Sequence, residues 1–320
     1  MRTVRKVSIR SRLPTPPPKP CFGLKPRCRL AGMNQLDVTT AHFTLPMSDG
    51  ERIHCTARFP TEPVRPLPVL LFFHGFKGFK DWGGFPYACQ RLADADFYVV
   101  SINFTHNGVE GNGTEFTRLD RFASNTHSRE VREAAEVIDA VAGGAVLPES
   151  HLLLPGQLGV IGHSRGGGTA IIAAAERPSV AAVAVWGPVS TFDRYTQQQK
   201  QRWKDAGFIE LPNARTGQTM RINAAFMDDL AEHGNRLDIC AAAARLQRPL
   251  LVVHGNQDLS VSPDNGARIA AAASPDLTTY LPIPNTGHTF GTVHPFAGTT
   301  LAFEQVIDAT EGFFLEHLVH

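Results

Sequence analysis

From about residue 34 the chain alternates short apolar runs with longer segments of helical periodicity. His42–Leu45 and Arg52–Phe59 alternate apolar and polar positions and read as two antiparallel edge strands. Pro68–Phe73 (PVLLFF) is a continuous apolar run, as expected of a buried parallel strand, and Phe97–Phe104 (FYVVSINF) reads as the next buried strand. Gln157–Ile161, Val180–Trp186, Pro249–His254 and Thr278–Ile283 complete the predicted strands. Between them, helical spacing predicts Tyr87–Ala95, Ser128–Ala142 with a cap at Ser128 or Thr126, Arg165–Ala175, Pro263–Ala273 and Thr300–Leu318. Residues 105–126 read as a long polar loop. Residues 190–245 show helical character without strands and read as a helical lid inserted over the sheet. Strands alternating with helices predict an α/β fold with a mostly parallel central sheet covered by helices on both faces.

Composition narrows the function classes. At 320 residues the chain is long enough for one large α/β domain, and no apolar run approaches the roughly 18 residues of a membrane span. The net charge is +1, yet residues 1–32 hold nine Lys/Arg and no acid, leaving 22 basic against 30 acidic residues in the rest. A body of that sign is not built to hold nucleic acid. Residues 1–33 read as a basic, Pro-rich, disordered tail without chemistry, and 34–320 as the domain. The five cysteines lack metal-type spacing and read as free thiols of a reducing cytosol, so the expected location is cytoplasmic. No P-loop, dinucleotide fingerprint or metal spacing is present, so no cofactor and no metal is expected.

Candidate chemistry lies in three loops that follow predicted strands. Gly162-His163-Ser164-Arg165-Gly166 joins the strand QLGVI to a helix of small residues. A serine at such a sharp turn needs glycines two positions away on either side, and the turn lifts its Oγ above the sheet edge. Serine is a poor nucleophile unless a base takes its proton. His288 follows the last predicted strand and is the expected base, with His294 its rival in the same loop. Asp258, after Pro249–His254, is the expected carboxylate that orients the imidazole. An oxyanion hole requires two N–H donors, expected from the amides of Phe76 and Arg165, while His74 reads as structural. Trp186, Trp203, Phe208 and Phe226 are candidates for an apolar acyl pocket, with Met220 and Met227 beside them in the insertion.

The segments HGFKGFKDWGG (74–84), INFTHNG (102–108), GHSRGGG (162–168), HGNQDLSVSP (254–263) and NTGHTFG (285–291) resemble the α/β-hydrolase superfamily over about residues 38–318. Within it they resemble the bacterial branch near dienelactone hydrolases and acylaminoacyl-peptidase-like enzymes, and NARTGQTMRIN (213–223) resembles an insertion of that branch. The order Ser164, Asp258, His288 is the one that resemblance implies. Dienelactone hydrolases proper carry cysteine where this chain has Ser164, and such peptidases usually carry an additional propeller domain. The resemblance implies a serine hydrolase acting on a small-molecule acyl substrate. Ester cleavage through an acyl-enzyme is expected first, with thioesterase or amidase/aminopeptidase activity as alternatives. The full set of Ser, His and Asp argues against a non-catalytic binding protein of the same fold.

Overall fold

The computed structural model describes residues 37–144, 147–213 and 216–319. The basic tail therefore lies outside the described residues. β1 (Val38–Pro46) and β2 (Arg52–Pro60) form a hairpin, followed by β3 (Leu67–Phe73), α1 (Phe85–Ala93) and β4 (Tyr98–Asn103). The loop after β4 contains a short helix, α2 (Leu119–Ala123), and leads into α3 (His127–Ala142), capped by Thr126 Oγ1 accepting from the Arg129 amide. β5 (Leu153–His163), α4 (Arg165–Ala175) and β6 (Val180–Trp186) build the centre. The insertion follows, with α5 (Gln197–Ala206), β7 (Phe208–Pro212), β8 (Thr219–Asn223) and α6 (Ala225–His233). The chain returns through α7 (Ile239–Leu246), β9 (Leu250–Gly255), α8 (Asp264–Ala272), β10 (Thr278–Ile283) and α9 (Leu301–Leu318).

Eight strands form one sheet in the order β1-β2-β4-β3-β5-β6-β9-β10. β2 pairs antiparallel with both β1 and β4, and the remaining pairs are parallel. Successive side chains of β3 serve opposite layers. Val69, Leu71 and Phe73 join a core with α3, α4, α7 and α8. Leu70 and Phe72 join a second core with α1 and α9. This is the predicted three-layer α/β architecture.

Two expectations need correction. β2 is an interior strand, because its far side pairs with β4 rather than with solvent. The insertion is not purely helical: β7 and β8 form an antiparallel ribbon, with Leu211 opposite Met220 and Ile209 opposite Ile222. Met220 and Ile222 face inward while Thr219 and Arg221 face out, so the period of a half-buried strand is present in only five residues. α7 packs on α4 and α8 and belongs to the main helical layer, not to the insertion.

Candidate active site

Ser164 sits between β5 and α4 at φ 58° and ψ −119°, a left-handed conformation that costs a non-glycine residue on the order of 1–3 kcal/mol. Its neighbours explain how the turn closes. A Cβ on Gly162 would meet Gly167 Cα at 2.7 Å, and one on Gly166 would meet the Phe73 carbonyl oxygen at 2.5 Å. The turn is pinned by Ser164 N donating to the Trp186 carbonyl (2.8 Å) and by Val189 N donating to the Ser164 carbonyl (3.3 Å).

The loops after β9 and β10 are tied to each other. Asn256 N donates to the Ile283 carbonyl, Gln257 N to the Thr286 carbonyl (both 2.9 Å), and Asn285 N to Asn256 Oδ1 (2.8 Å). Gly255 permits this approach, since a Cβ there would lie 2.6 Å from the carbonyl oxygens of Thr286 and Gly287. The result places His288 Nδ1 2.7 Å from Asp258 Oδ2. Asp258 is buried, and its Oδ1 accepts from the amides of Ser260 and Val261 (2.9 Å each). Burial alone would raise its carboxyl. The hydrogen bonds from His254 and His288, the nearby His288 charge and the Val261 amide outweigh burial and hold it well below the usual carboxylate range.

Two histidines that the sequence reading left without a role brace this arrangement. His163 Nε2 donates to the His288 carbonyl (3.0 Å), linking the serine turn to the histidine loop, with ring centres 4.8 Å apart. Burial first, and then the neighbouring His288, push the His163 imidazole down to about 3, which keeps it neutral. His254 is fully buried, with Nε2 2.9 Å from the Val261 carbonyl and 3.3 Å from Asp258 Oδ2. His-Gly-Asn-Gln-Asp, with His and Asp four apart in one tight loop, was the available signal. No direct hydrogen bond joins Ser164 Oγ to the His288 ring among the described residues, a gap that such sites commonly close only with substrate bound.

The two predicted amide donors flank the serine. A Cβ on Gly75 would meet Ser164 Cβ at 2.9 Å, so the backbone entering Phe76 runs against the serine turn. Among the described residues, neither the Phe76 amide nor the Arg165 amide donates to a backbone carbonyl. His74 is buried and bonds its own loop: its Nδ1 lies 2.9 Å from the Gly75 carbonyl, and its Nε2 accepts from Phe104 N (3.3 Å). His294 lies elsewhere, accepting at Nδ1 from Gly83 N (3.0 Å) and packing on Trp82.

Of the four predicted acyl-pocket residues, only Phe226 lines the cleft beside Ser164. Trp186 is fully buried, donates to Thr310 Oγ1 (2.9 Å) and packs on Phe72 and Phe303 against α9. Trp203 stacks on Phe226 at 5.3 Å and donates to the Ile222 carbonyl, supporting the wall instead of forming it. Phe208 lies under the Arg221 guanidinium on the ribbon, 3.6 Å from ring centre to Cζ. The cleft is lined by His127, Phe192 and Tyr195 in their place, together with Phe76, Arg165 and Arg194. The Arg165 guanidinium is paired with Glu130 (2.5 Å) and lies 4.7 Å from the Phe76 ring centre.

No group of three His, Cys, Asp or Glu among the described residues is arranged to hold a metal ion. No helix among them is long and apolar enough to cross a membrane.

The family model of the prolyl oligopeptidase family matches residues 84–303, which include Ser164, Asp258 and His288. Solved structures share the fold at low identity. An esterase domain from a Rhodothermus marinus protein is 18% identical with a TM-score of 0.57, over 88% of this chain and 100% of that one. A putative hydrolase from Agrobacterium vitis is 16% identical with a TM-score of 0.65, over 87% and 99%. A dienelactone hydrolase from Anabaena variabilis is 18% identical with a TM-score of 0.53, over 87% and 99%. No curated protein sequence matches the chain.

Proposed function

We propose, from the premise that this chain belongs to the prolyl oligopeptidase family and is a serine hydrolase of the α/β type, that it cleaves a carboxylic ester through an acyl-enzyme formed on Ser164. The observation that carries the reading is the Asp258–His288 hydrogen bond of 2.7 Å, on a loop that His163 ties to the strained turn of Ser164. In this reading Asp258 fixes the proton on His288 Nδ1 and leaves Nε2 to act as base. Ser164 Oγ attacks the acyl carbon and gives its proton to Nε2. The amides of Phe76 and Arg165 stabilise the oxyanion, with the α4 N-terminus behind them. The leaving alkoxide takes the proton from His288 and departs as the alcohol. Water then repeats the sequence on the acyl-enzyme and releases the acid.

A specific observation favours the ester over a peptide with a free amino terminus. Among the described residues no carboxylate lines the cleft, whose charged side chains are Arg165 and Arg194. A cationic amino group would therefore find no partner there. The family match favours the second reading, amide cleavage by the same residues. Both are tested with a fluorophosphonate probe followed by paired p-nitrophenyl esters and p-nitroanilides of the same acids. The expected result is labelling that Ser164→Ala abolishes, with esters turned over and anilides not. Labelling that survives Ser164→Ala removes the nucleophile assignment, and anilides cleaved as readily as esters transfer the conclusion to amide hydrolysis.

A further inference from the structure

The cleft beside Ser164 has two properties that ester hydrolysis as such does not require. The first is its walls. The His127 ring lies flat on Phe192, with centres 4.0 Å apart and planes 11° apart, and packs at 4.6 Å against Phe226. Phe226 is held flat by Trp203 behind it, and Tyr195 stands edge-on to both. Phe76 adds a further ring from the oxyanion loop. Rings fixed by stacking give the cleft a rigid aromatic wall, against which a planar group gains roughly 0.5–1.5 kcal/mol beyond area burial. A linear acyl chain would gain only the area.

The second property is a polar group without a partner inside that aromatic wall. His127 is 4% exposed, lines the cleft and starts α3. Its Nδ1 is buried and has no hydrogen-bond partner. Leaving such an atom unmade costs about 1–3 kcal/mol, and a phenylalanine would fill the same space without that cost. Burial, and then the Arg165 charge, push the imidazole well below its ordinary value, so the ring is neutral and offers one N–H and one acceptor. Arg165, the buried cation among the described residues that line the cleft, is already matched, because it is paired with Glu130, which also accepts from Asn125 Nδ2 (2.7 Å). A substrate carboxylate would have to compete with Glu130 for it.

We propose that the acyl group this cleft accepts is an uncharged aromatic acid carrying a ring oxygen substituent, a hydroxyl or an ether, that hydrogen-bonds to His127. The proposal rests on Ser164 being the nucleophile. His127 is then the residue that separates substituted from plain aromatic acids, and Phe226 the one that favours aromatic over linear acids.

The test compares kcat/KM for the p-nitrophenyl esters of butyrate, benzoate, 3-hydroxybenzoate and 4-hydroxybenzoate. Wild type, His127→Phe, His127→Gln and Phe226→Leu are assayed in parallel, each checked for folding by thermal melting. In wild type, benzoate should exceed butyrate, and at least one hydroxybenzoate should exceed benzoate by about tenfold, the worth of one good buried hydrogen bond. His127→Phe should bring the hydroxybenzoate-to-benzoate ratio to about one, and His127→Gln should keep part of it. Phe226→Leu should lower the benzoate-to-butyrate ratio. Should His127→Phe fail to fold, the His127→Gln and Phe226→Leu ratios decide. A labelled wild type that prefers butyrate, or a hydroxyl effect unchanged by His127 substitution, overturns this proposal alone. Absence of both labelling and turnover removes the nucleophile assignment, and this proposal with it.

Discussion

Replacing Asp258 by asparagine tests the proposed chemistry through one atom. The carboxylate has four N–H neighbours: His288 and His254 on Oδ2, and the amides of Ser260 and Val261 on Oδ1. Asparagine has one acceptor oxygen and a two-donor nitrogen, so it can serve only one side. Turning its oxygen toward the imidazoles would strand two loop amides at about 1–3 kcal/mol each. Keeping its oxygen on the amides costs less, and sets its NH₂ against His288 Nδ1. His288 then adopts the other tautomer, with Nδ1 accepting and the proton on Nε2. In that form Nε2 cannot take the Ser164 proton. The expected loss in kcat/KM is about 10⁴-fold, the size seen when a triad aspartate elsewhere is amidated, or roughly 5.5 kcal/mol in the barrier. The stability loss should be smaller, about 1.5–3 kcal/mol, as for one hydrogen bond to a charged group. Ester kinetics and urea denaturation of Asp258→Asn measure the two losses, and the rate of fluorophosphonate labelling follows Ser164 itself. An Asp258→Asn enzyme within tenfold of wild type, still labelled at Ser164, refutes the reasoning. Asp193, the nearest alternative in sequence after β6, is an exposed partner of Lys200 and should tolerate the same change.

Two further outcomes follow from buried groups around the site. In Gly166→Ala the new Cβ would press on the carbonyl oxygens of Phe73 and His74, beside the Phe76 loop. It should cost about 1–3 kcal/mol, lower the melting temperature by roughly 2–4 °C per kcal/mol and reduce ester turnover; calorimetry showing an unchanged transition with full activity would count against the close-approach argument. Burial, only partly offset by the hydrogen bonds from Thr105 and the Arg129 charge, pushes the Glu133 carboxyl up to about 7. The folded state thus holds a proton that the unfolded chain releases near pH 4.3, so this group's contribution is full below about pH 4 and is lost as pH rises toward 7. Glu133→Gln should therefore gain on wild type between pH 5 and 7 in urea denaturation, and parallel pH curves for the two proteins would contradict it.

The parts of this fold legible from sequence are those fixed by local pattern. β3, β4, β6 and β9 are mostly apolar runs because both faces of the sheet are covered, and Gly or Pro lies close to the ends of β3, β6 and β9. The serine turn is legible because its steric demands fall within five residues. The β7–β8 ribbon was not, because two five-residue strands with one polar face carry a signal no stronger than an irregular loop. Trp186 was misplaced for a different reason. A strand residue's facing is set by parity, and Trp186 shares parity with Ala182 and Ala184, which pack on the α9 side. The cleft's rings come from the loop before α1, from α3, from the segment after β6 and from α6. No periodicity links positions so distant in the chain, and His127 and Tyr195 become neighbours of Ser164 only once the sheet is assembled.

The insertion packs on the rest of the molecule through α6 against α3 and β8 against α2, and hydrogen bonds tie the two together. Lys77, next to Phe76, donates to the Pro212 carbonyl at the end of β7 (2.9 Å), and Gln218 Nε2 donates to the Phe116 carbonyl (3.0 Å). Ser128, next to His127, is held by Asp229 of α6. Of the two residues proposed to select the acid, Phe226 is carried by this insertion, while His127 sits on α3, outside it. An exchanged insertion would therefore alter the aromatic wall around Phe226 and leave His127 and the loops of Ser164, Asp258 and His288 in place. The anchors set the condition: any replacement must still offer a carbonyl to Lys77 and a carboxylate to Ser128, or the Phe76 loop and the cleft wall both lose their footing.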